Sequence, residues 1–317
     1  MDRVRAAVAE IDPMFLDTPA LHCTPLGRVL GCPVTLKIET LNPVRSFKAR
    51  GTETAAAAAL EAGASRVVCA SAGNLGQALA YSGARRGLAV TVVAARTANP
   101  LKLRRIAAFG ADIVLDGEDI DDARLTAREI ADADGAHLVE DSLDLATCEG
   151  AATIGLELVR DDPELDVVLV AVGGGAMASG VGYVLRSLTE HVEVLGIQPA
   201  GAPAMALSWR QGRVVETDRI ETIADGVAGR RPIPEVLDDL LVVLDDVVLV
   251  REDSIKAGMR MLYEHAGLVV EPSAALGVAA VLEDPERFAG RRVTTILCGS
   301  NVGPADFARW VLEPVAR

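Results

Sequence analysis

Residues 42–52 of this chain read NPVRSFKARGT, with Lys48 near the centre, preceded by an aromatic residue and followed by small ones. Pro43 cannot sit inside a helix, so the stretch begins as a loop. From Ala49 onward, through TETAAAAALEAGA, the residues are strong helix formers. Lys48 therefore falls at a loop-to-helix junction, where backbone amides lack intrahelical partners and the helix dipole is positive. Positive surroundings and partial burial both disfavour an ammonium, the condition an amine nucleophile needs. Taken alone, the stretch fits a first-turn lysine on a surface helix better than a nucleophile. Three other loops bear on the choice.

SAGNLGQ, residues 71–77, lies between an apolar run and a helical segment. Its small residues let backbone amides converge on an anion at a helix start, and Asn74 adds a side-chain amide. An ordinary strand-to-helix turn with an Asn cap is the equal alternative. GGGAMASG, residues 173–180, follows the apolar run DVVLVAV. Three successive glycines weaken local order, so they imply backbone brought close to a ligand, and a phosphate cradled at a helix start is the natural candidate. The run contains GxGxxA (Gly173, Gly175, Ala178), the start of a dinucleotide fingerprint. That fingerprint wants an acid about 20 residues on, and the next strand ends instead in Gln198. No Walker pattern is present, so a phosphate monoester fits better than NAD or ATP. LCGSNV, residues 297–302, closes the last apolar run. Cys298 reads equally as a small buried residue and as a ligand contact.

These loops need strands to carry them. Apolar runs at residues 34–39, 66–71, 89–95, 111–116, 137–140, 166–173, 193–198 and 292–299 alternate with helical segments. Short apolar runs between helices indicate parallel strands covered on both faces, and in such sheets ligands bind at the carboxyl ends of strands. Residues 1–30 read as an amphipathic helix and then a loop, HCTPLGR. The 317 residues suffice for one large or two moderate domains, and two strand–helix blocks meet near residue 145. Half the residues are hydrophobic and 3% are aromatic, a composition of α/β enzymes rather than β-sandwiches.

A formal net charge of -14 argues against nucleic acid and anionic membrane as partners. Five cysteines without a CxxC pair suggest neither a disulfide framework nor a zinc site, and a reducing cytoplasm is the default. The charged first residues contain no signal-peptide pattern, and no apolar run is long enough to span a bilayer.

A lysine nucleophile, a phosphate cradle and an amide-rich anion loop together describe a pyridoxal-phosphate site. The order SFKxRG, SAGN, GGG, DGVA, EPSA and CGSN, over residues 41–302, resembles the serine/threonine dehydratase family of fold type II (β-family) pyridoxal-phosphate enzymes. The resemblance implies an α/β fold like the tryptophan synthase β chain, with two lobes, each an open, mostly parallel sheet with helices on both faces. Residues 60–145 would form a small lobe inserted into a large cofactor-binding lobe made of 1–59 and 146–317. It also implies that Lys48 carries the cofactor as a Schiff base, beside Phe47. Asn74 would bond the cofactor's 3-hydroxyl, and Gly173, Gly174, Gly175, Ala176 and Met177 would hold its phosphate. Cys298 would face the pyridine nitrogen, with Gly226 and Glu271 lining the ring. Ser71, Ala72, Gly73 and Asn74 would bind the substrate carboxylate. Family members are usually dimers or larger.

The chain departs from the family in three places. Metal-binding relatives carry acids after the strand that here ends in Gln198, whereas QPAGAPA, residues 198–204, has no carboxylate, so no metal is expected. The racemase branch places a serine acid at the position of Ala72, and alanine cannot donate a proton. Leu75 stands where a histidine is common. The reading is a cytoplasmic ammonia-lyase that converts L-threonine or L-serine to a 2-keto acid and ammonia. The alternatives are a related elimination or β-replacement (β-hydroxyaspartate or phenylserine dehydratase, or a cysteine-synthase-like reaction), in which Arg45 could pair with a second carboxylate, although an arginine beside a helix start more often faces solvent. Further off stand a nicotinamide-dependent dehydrogenase and a catalytically silent binding protein.

Overall fold

A computed structural model describes residues 1–313, and of Asp121 the backbone alone; residues 314–317, the end of the expected large lobe, lie outside the described residues. In chain order, α1 (Asp2–Glu10) is followed by β1 (Ala20–His22), α2 (Thr24–Leu30), β2 (Val34–Ile38) and α3 (Lys48–Glu61). Strand and helix then alternate: β3 (Arg66–Ala70), α4 (Asn74–Arg85), β4 (Ala89–Ala94), α5 (Pro100–Ala108), β5 (Asp112–Leu115), α6 (Ile120–Asp134), β6 (His137–Leu138) and α7 (Leu145–Asp161). The alternation continues with β7 (Val167–Ala171), α8 (Ala176–Leu188), β8 (Glu193–Pro199), α9 (Ala204–Gln211), α10 (Pro234–Val243), β9 (Asp246–Val250) and α11 (Glu252–Ala266). Helices α12 (Leu276–Glu283) and α13 (Pro285–Phe288), strand β10 (Val293–Leu297) and helix α14 (Pro304–Phe307) complete it. Packing separates two units, Met1–Leu16 with Asn42–Thr153, and Asp17–Leu41 with Ile154–Arg317.

The first unit holds a parallel four-stranded sheet in the order β5-β4-β3-β6. Successive strand residues face opposite sides. Accordingly, Val67, Cys69, Val90 and Val92 pack with Leu75 and Leu79 of α4 and the alanines of α3. Val68 and Val93 pack instead with Ala123, Ala127 and Ala131 of α6. Both faces are therefore covered, and this is why the strands read as unbroken apolar runs.

The second unit holds a six-stranded sheet in the order β1-β2-β10-β7-β8-β9, parallel except for the edge strand β1, which runs antiparallel to β2. β10 is buried along its whole length. Gly277 lets α12 lie directly on it, since a Cβ there would overlap Thr295. Beneath β2 lies a polar cluster. The fully buried Lys37 ammonium donates to Glu157 Oε2 (2.6 Å) and to the Thr18 carbonyl (2.7 Å). Glu157 also accepts the Asp17 and Thr18 backbone amides, and Thr18 Oγ1 donates to Glu39 (2.5 Å). An ion pair in such a site holds only because hydrogen bonds serve the remaining lone pairs.

The sequence pattern missed α2 and β1 near the start, and α9, α10, β9, α11, α12 and α13 between Gln198 and Arg292. HCTPLGR was expected as loop, but Thr24–Leu30 is helical with Pro25 in its first turn, where a missing N–H is harmless. β1 is three residues long and exposed, so it leaves no apolar signature. β9, DVVLV, lies at the opposite sheet edge, with Val247 and Val250 buried and the other three residues half-buried.

Candidate active site

In the first unit, the loop before Lys48 is shaped by one side chain. Asn42 Oδ1 accepts the amides of Val44 (3.1 Å) and Ser46 (3.4 Å), and its Nδ2 donates to the Ser46 carbonyl. Arg45 is held in the left-handed region at φ +55. Lys48 is the first residue of α3, at the loop-to-helix junction expected for it. Its ammonium lies 4.8 Å from the centre of the Phe47 ring and forms an ion pair with Asp141. The neighbourhood is thus not only the positive helix end but also a carboxylate from the loop after β6.

α3 is fixed against the first part of α7 at backbone contact distance. A Cβ on Gly51 would lie 2.6 Å from the Thr147 carbonyl oxygen, and one on Gly150 would overlap the Arg50 carbonyl. Thr54 Oγ1 donates to the Ala146 carbonyl (2.6 Å), and the fully buried Arg50 donates to Thr153 Oγ1 (2.9 Å).

The loop at 71–77 is brought to the lysine loop. Gln77 Nε2 donates to the Val44 carbonyl (2.9 Å), and Val44, Ala49 and Ala78 share one apolar cluster with Ile11 and Phe15. Ser71 Oγ accepts the Gly73 amide (3.1 Å), and α4 starts at Asn74 without a side-chain cap. Ala72, Gly73 and Asn74 are half-buried. Gly76 is obligatory, because a Cβ there would overlap the Ser71 carbonyl. Below this loop, burial and then the Asp141 carboxylate push the Cys69 thiol up to about 12. Cys69 therefore stays a thiol at neutral pH. Alkylation of the folded protein near pH 8, followed by peptide mass spectrometry, is expected to modify the half-buried Cys148 and spare Cys69; prompt labelling of Cys69 would contradict this.

In the second unit, the glycine run follows β7 and ends at Gly175, the cap of α8, with φ +112 and no side-chain capping bond. A Cβ on Gly173 would lie 2.9 Å from the Gly226 carbonyl oxygen, so the run packs on the turn Asp225–Val227. Gly226 in turn faces Ser273 and Glu271: its added Cβ would be 2.8 Å from Ser273 Oγ and 3.3 Å from Glu271 Oε1. The Glu271 carboxylate accepts the Asn301 amide (3.0 Å) and leaves no room for a side chain at Gly299. Gly173, Gly226, Glu271 and the residues after β10 are thus gathered together, with Cys298 buried beside them in sequence.

Gln198, expected only as the absence of a ribose-binding acid, has a definite task. Its Nε2 donates to the Val172 carbonyl (3.1 Å) and its Oε1 accepts the Ala206 amide (2.9 Å), so it fastens the residue before the glycine run. A fully buried amide committed in this way cannot bind a ribose. Ser179 Oγ, one turn into α8, is buried without a hydrogen-bond partner among the described residues. A helix start, backbone approach through glycine and an unused buried hydroxyl are together the donor set of a phosphate site. The residues present fit a phosphorylated cofactor. Two residues here were not read from the sequence. Ser179 lay inside the quoted glycine motif, and Asp141 lay in EDS at a strand end, where a carboxylate was a visible signal.

A lysine at a helix start beside an anion loop, and a glycine cradle at a strand end, are the parts of an α/β enzyme that uses a phosphorylated carbonyl cofactor. Residues 11–299 match the family of pyridoxal-phosphate dependent enzymes, and the chain belongs to it. It is 35% identical to an L-threonine ammonia-lyase from Thermotoga maritima, over 95% of this chain and 75% of that protein. It is 33% identical to a phenylserine dehydratase from Ralstonia pickettii, over 92% and 90%. The structure of maize serine racemase superposes with a TM-score of 0.90 at 27% identity, covering 97% of this chain and 95% of that one. The expected fold type and cofactor are borne out by these likenesses. Among the described residues no helix is long and apolar enough to cross a membrane.

Proposed function

We propose that the chain is an ammonia-lyase that removes water and then ammonia from a β-hydroxy amino acid, L-threonine or L-serine first. The observation that carries this reading is Lys48 at the start of α3 with the 71–77 loop tied to it through Gln77 and Val44. When bound, pyridoxal phosphate supplies an electron sink for the substrate's α-carbon. Lys48 Nζ takes the α-proton. The loop of Ser71, Ala72, Gly73 and Asn74 holds the carboxylate through backbone amides, and Asn74 also bonds the ring hydroxyl. Gly173, Gly174, Gly175, Ala176 and Met177 hold the phosphate with Ser179. Gly226 and Glu271 line the ring, and Cys298 offers the ring nitrogen a neutral thiol instead of a carboxylate. In this reading the small lobe is residues 60–145 within 1–59 and 146–317, and the enzyme works in the cytoplasm as a homodimer or larger homo-oligomer.

The test is a keto-acid and ammonia assay on threonine, serine, phenylserine and β-hydroxyaspartate, with chiral separation of the remaining amino acid. Keto acid is expected from threonine or serine without D-serine or allo-threonine, because Ala72 supplies no acid on the face opposite Lys48. Epimerised amino acid in quantity, or no keto acid from either substrate, would overturn the reading. One observation favours a second substrate. Arg45 keeps a left-handed backbone that arginine rarely adopts, and it is exposed beside the lysine loop. A guanidinium displayed there suits the second carboxylate of β-hydroxyaspartate.

A further inference from the structure

Lys48 does not face a neutral pocket in the first unit. Asp141 Oδ2 is engaged with the lysine nitrogen, while Asp141 Oδ1 is buried and accepts nothing among the described residues. A carboxylate whose second oxygen has no donor carries concentrated charge, and its attraction to its one cation is correspondingly strong. Among the described residues the Cys69 thiol also faces it, and burial and Asp141 itself keep that thiol protonated.

The backbone is bent to make this contact. Ser142, the next residue, is buried and left-handed at φ +71, a conformation that serine seldom adopts. Its amide donates to Thr147 Oγ1 (3.3 Å), and Thr147 Oγ1 donates to the Asp144 carbonyl (2.8 Å). Thr147 is also the residue whose carbonyl abuts Gly51 of α3, three positions beyond Lys48. The path from Lys48 through α3 to Thr147, Ser142 and Asp141 therefore closes on Lys48 again. Sparsely populated backbone held in place by its surroundings marks a functional constraint more often than an accident.

We propose that Asp141 is a positioning residue for proton transfer at Lys48. In the cofactor-free chain its carboxylate holds the lysine nitrogen in an ion pair. In turnover, Lys48 takes the α-proton: the Cα–H bond breaks, an N–H bond forms, and the nitrogen becomes positive. The Asp141 carboxylate stabilises that charge and fixes the direction in which the ammonium points. The inference rests on Lys48 being the cofactor lysine, but not on which amino acid is the substrate.

Two measurements test it on D141N, with D141E as the conservative variant and E140Q as control. Glu140 pairs at the surface with Arg128 and takes no part in the site. First, lysines of the cofactor-free chain are acetylated competitively and read by mass spectrometry, with the half-buried Lys256 as internal reference. Labelling of Lys48 relative to Lys256 is expected to rise about threefold or more in D141N, since the carboxylate contact that occupies the lysine nitrogen is lost. Second, loaded enzyme is incubated with L-alanine in D2O, and exchange at the α-carbon is followed by NMR. D141N is expected to lose about 10- to 100-fold in exchange rate, and as much in kcat with little change in KM, within the range for a positioned proton-transfer group. D141E should recover part of the loss, and E140Q should match the parent. Should D141N fail to fold, D141S takes its place with the same expectations. Unchanged Lys48 labelling, unchanged exchange, a loss confined to KM, or an equal loss in E140Q would overturn the proposal. Alanine has no leaving group, so an enzyme that exchanges alanine but releases no keto acid from serine or threonine would sink the lyase reading and leave Asp141 standing.

Discussion

Lys48→Ala is expected to end turnover, with a fall of about 10³-fold or more, the upper part of the range for removing a positioned proton-transfer group. It is also expected to remove the covalent link to the cofactor. Borohydride reduction of the parent enzyme followed by peptide mapping should place the pyridoxyl label on Lys48, and the variant should yield none. The competing lysines have other commitments. Lys37 is fully buried on Glu157, and the half-buried Lys256 pairs with the exposed Asp253. A label on Lys37, Lys102 or Lys256, or a variant with appreciable turnover, would remove Lys48 from its role. Arg in place of Lys48 should do no better than Ala, because a guanidinium keeps its charge and cannot serve as a base.

Lys37→Met carries the largest expected loss of stability. It takes away the cation that the buried Glu157 carboxylate and, at 3.8 Å, the Asp161 carboxylate face. Breaking such a pair typically costs about 3–5 kcal/mol. Denaturant titration read at a probe in the second unit should show the loss directly. The double change Lys37→Met with Glu157→Gln should cost less than the sum of the single changes, because the charge of each is what the other offsets. If the single change costs under about 1 kcal/mol, within the range of exposed pairs, Lys37 is better hydrated than its burial implies.

Much of the fold was legible because its signals are local. β3, β4, β7, β8 and β10 announce themselves as apolar runs covered on both faces, and α3 as a run of alanines. The glycine run was legible for a related reason: three glycines before a helix have few uses other than letting backbone approach something. What stayed hidden depends on partners distant in the chain. Asp141 lies 93 residues from Lys48, and its pairing is set by a left-handed serine and the α3–α7 contact, neither of which has a period to detect. Lys37 read as one polar residue in a strand, and nothing near it signalled Glu157, 120 residues away. Gln198 was read for what it lacks. Its use as a two-ended tie between Val172 and Ala206 emerges only when β8 is set beside β7. β1 and α2 were lost to shortness and to a proline that is harmless in a first turn.

The approach of Gly51 to Thr147 and of Gly150 to Arg50 places the two main chains against each other without intervening side chains. Such a contact has no rotamers through which to adapt, so its two halves are inherited or lost as a pair. SFKARGT is consequently not a portable cassette. Moved to another scaffold without the segment that bears Thr147 and Gly150, it would bring a lysine but not the lysine's address.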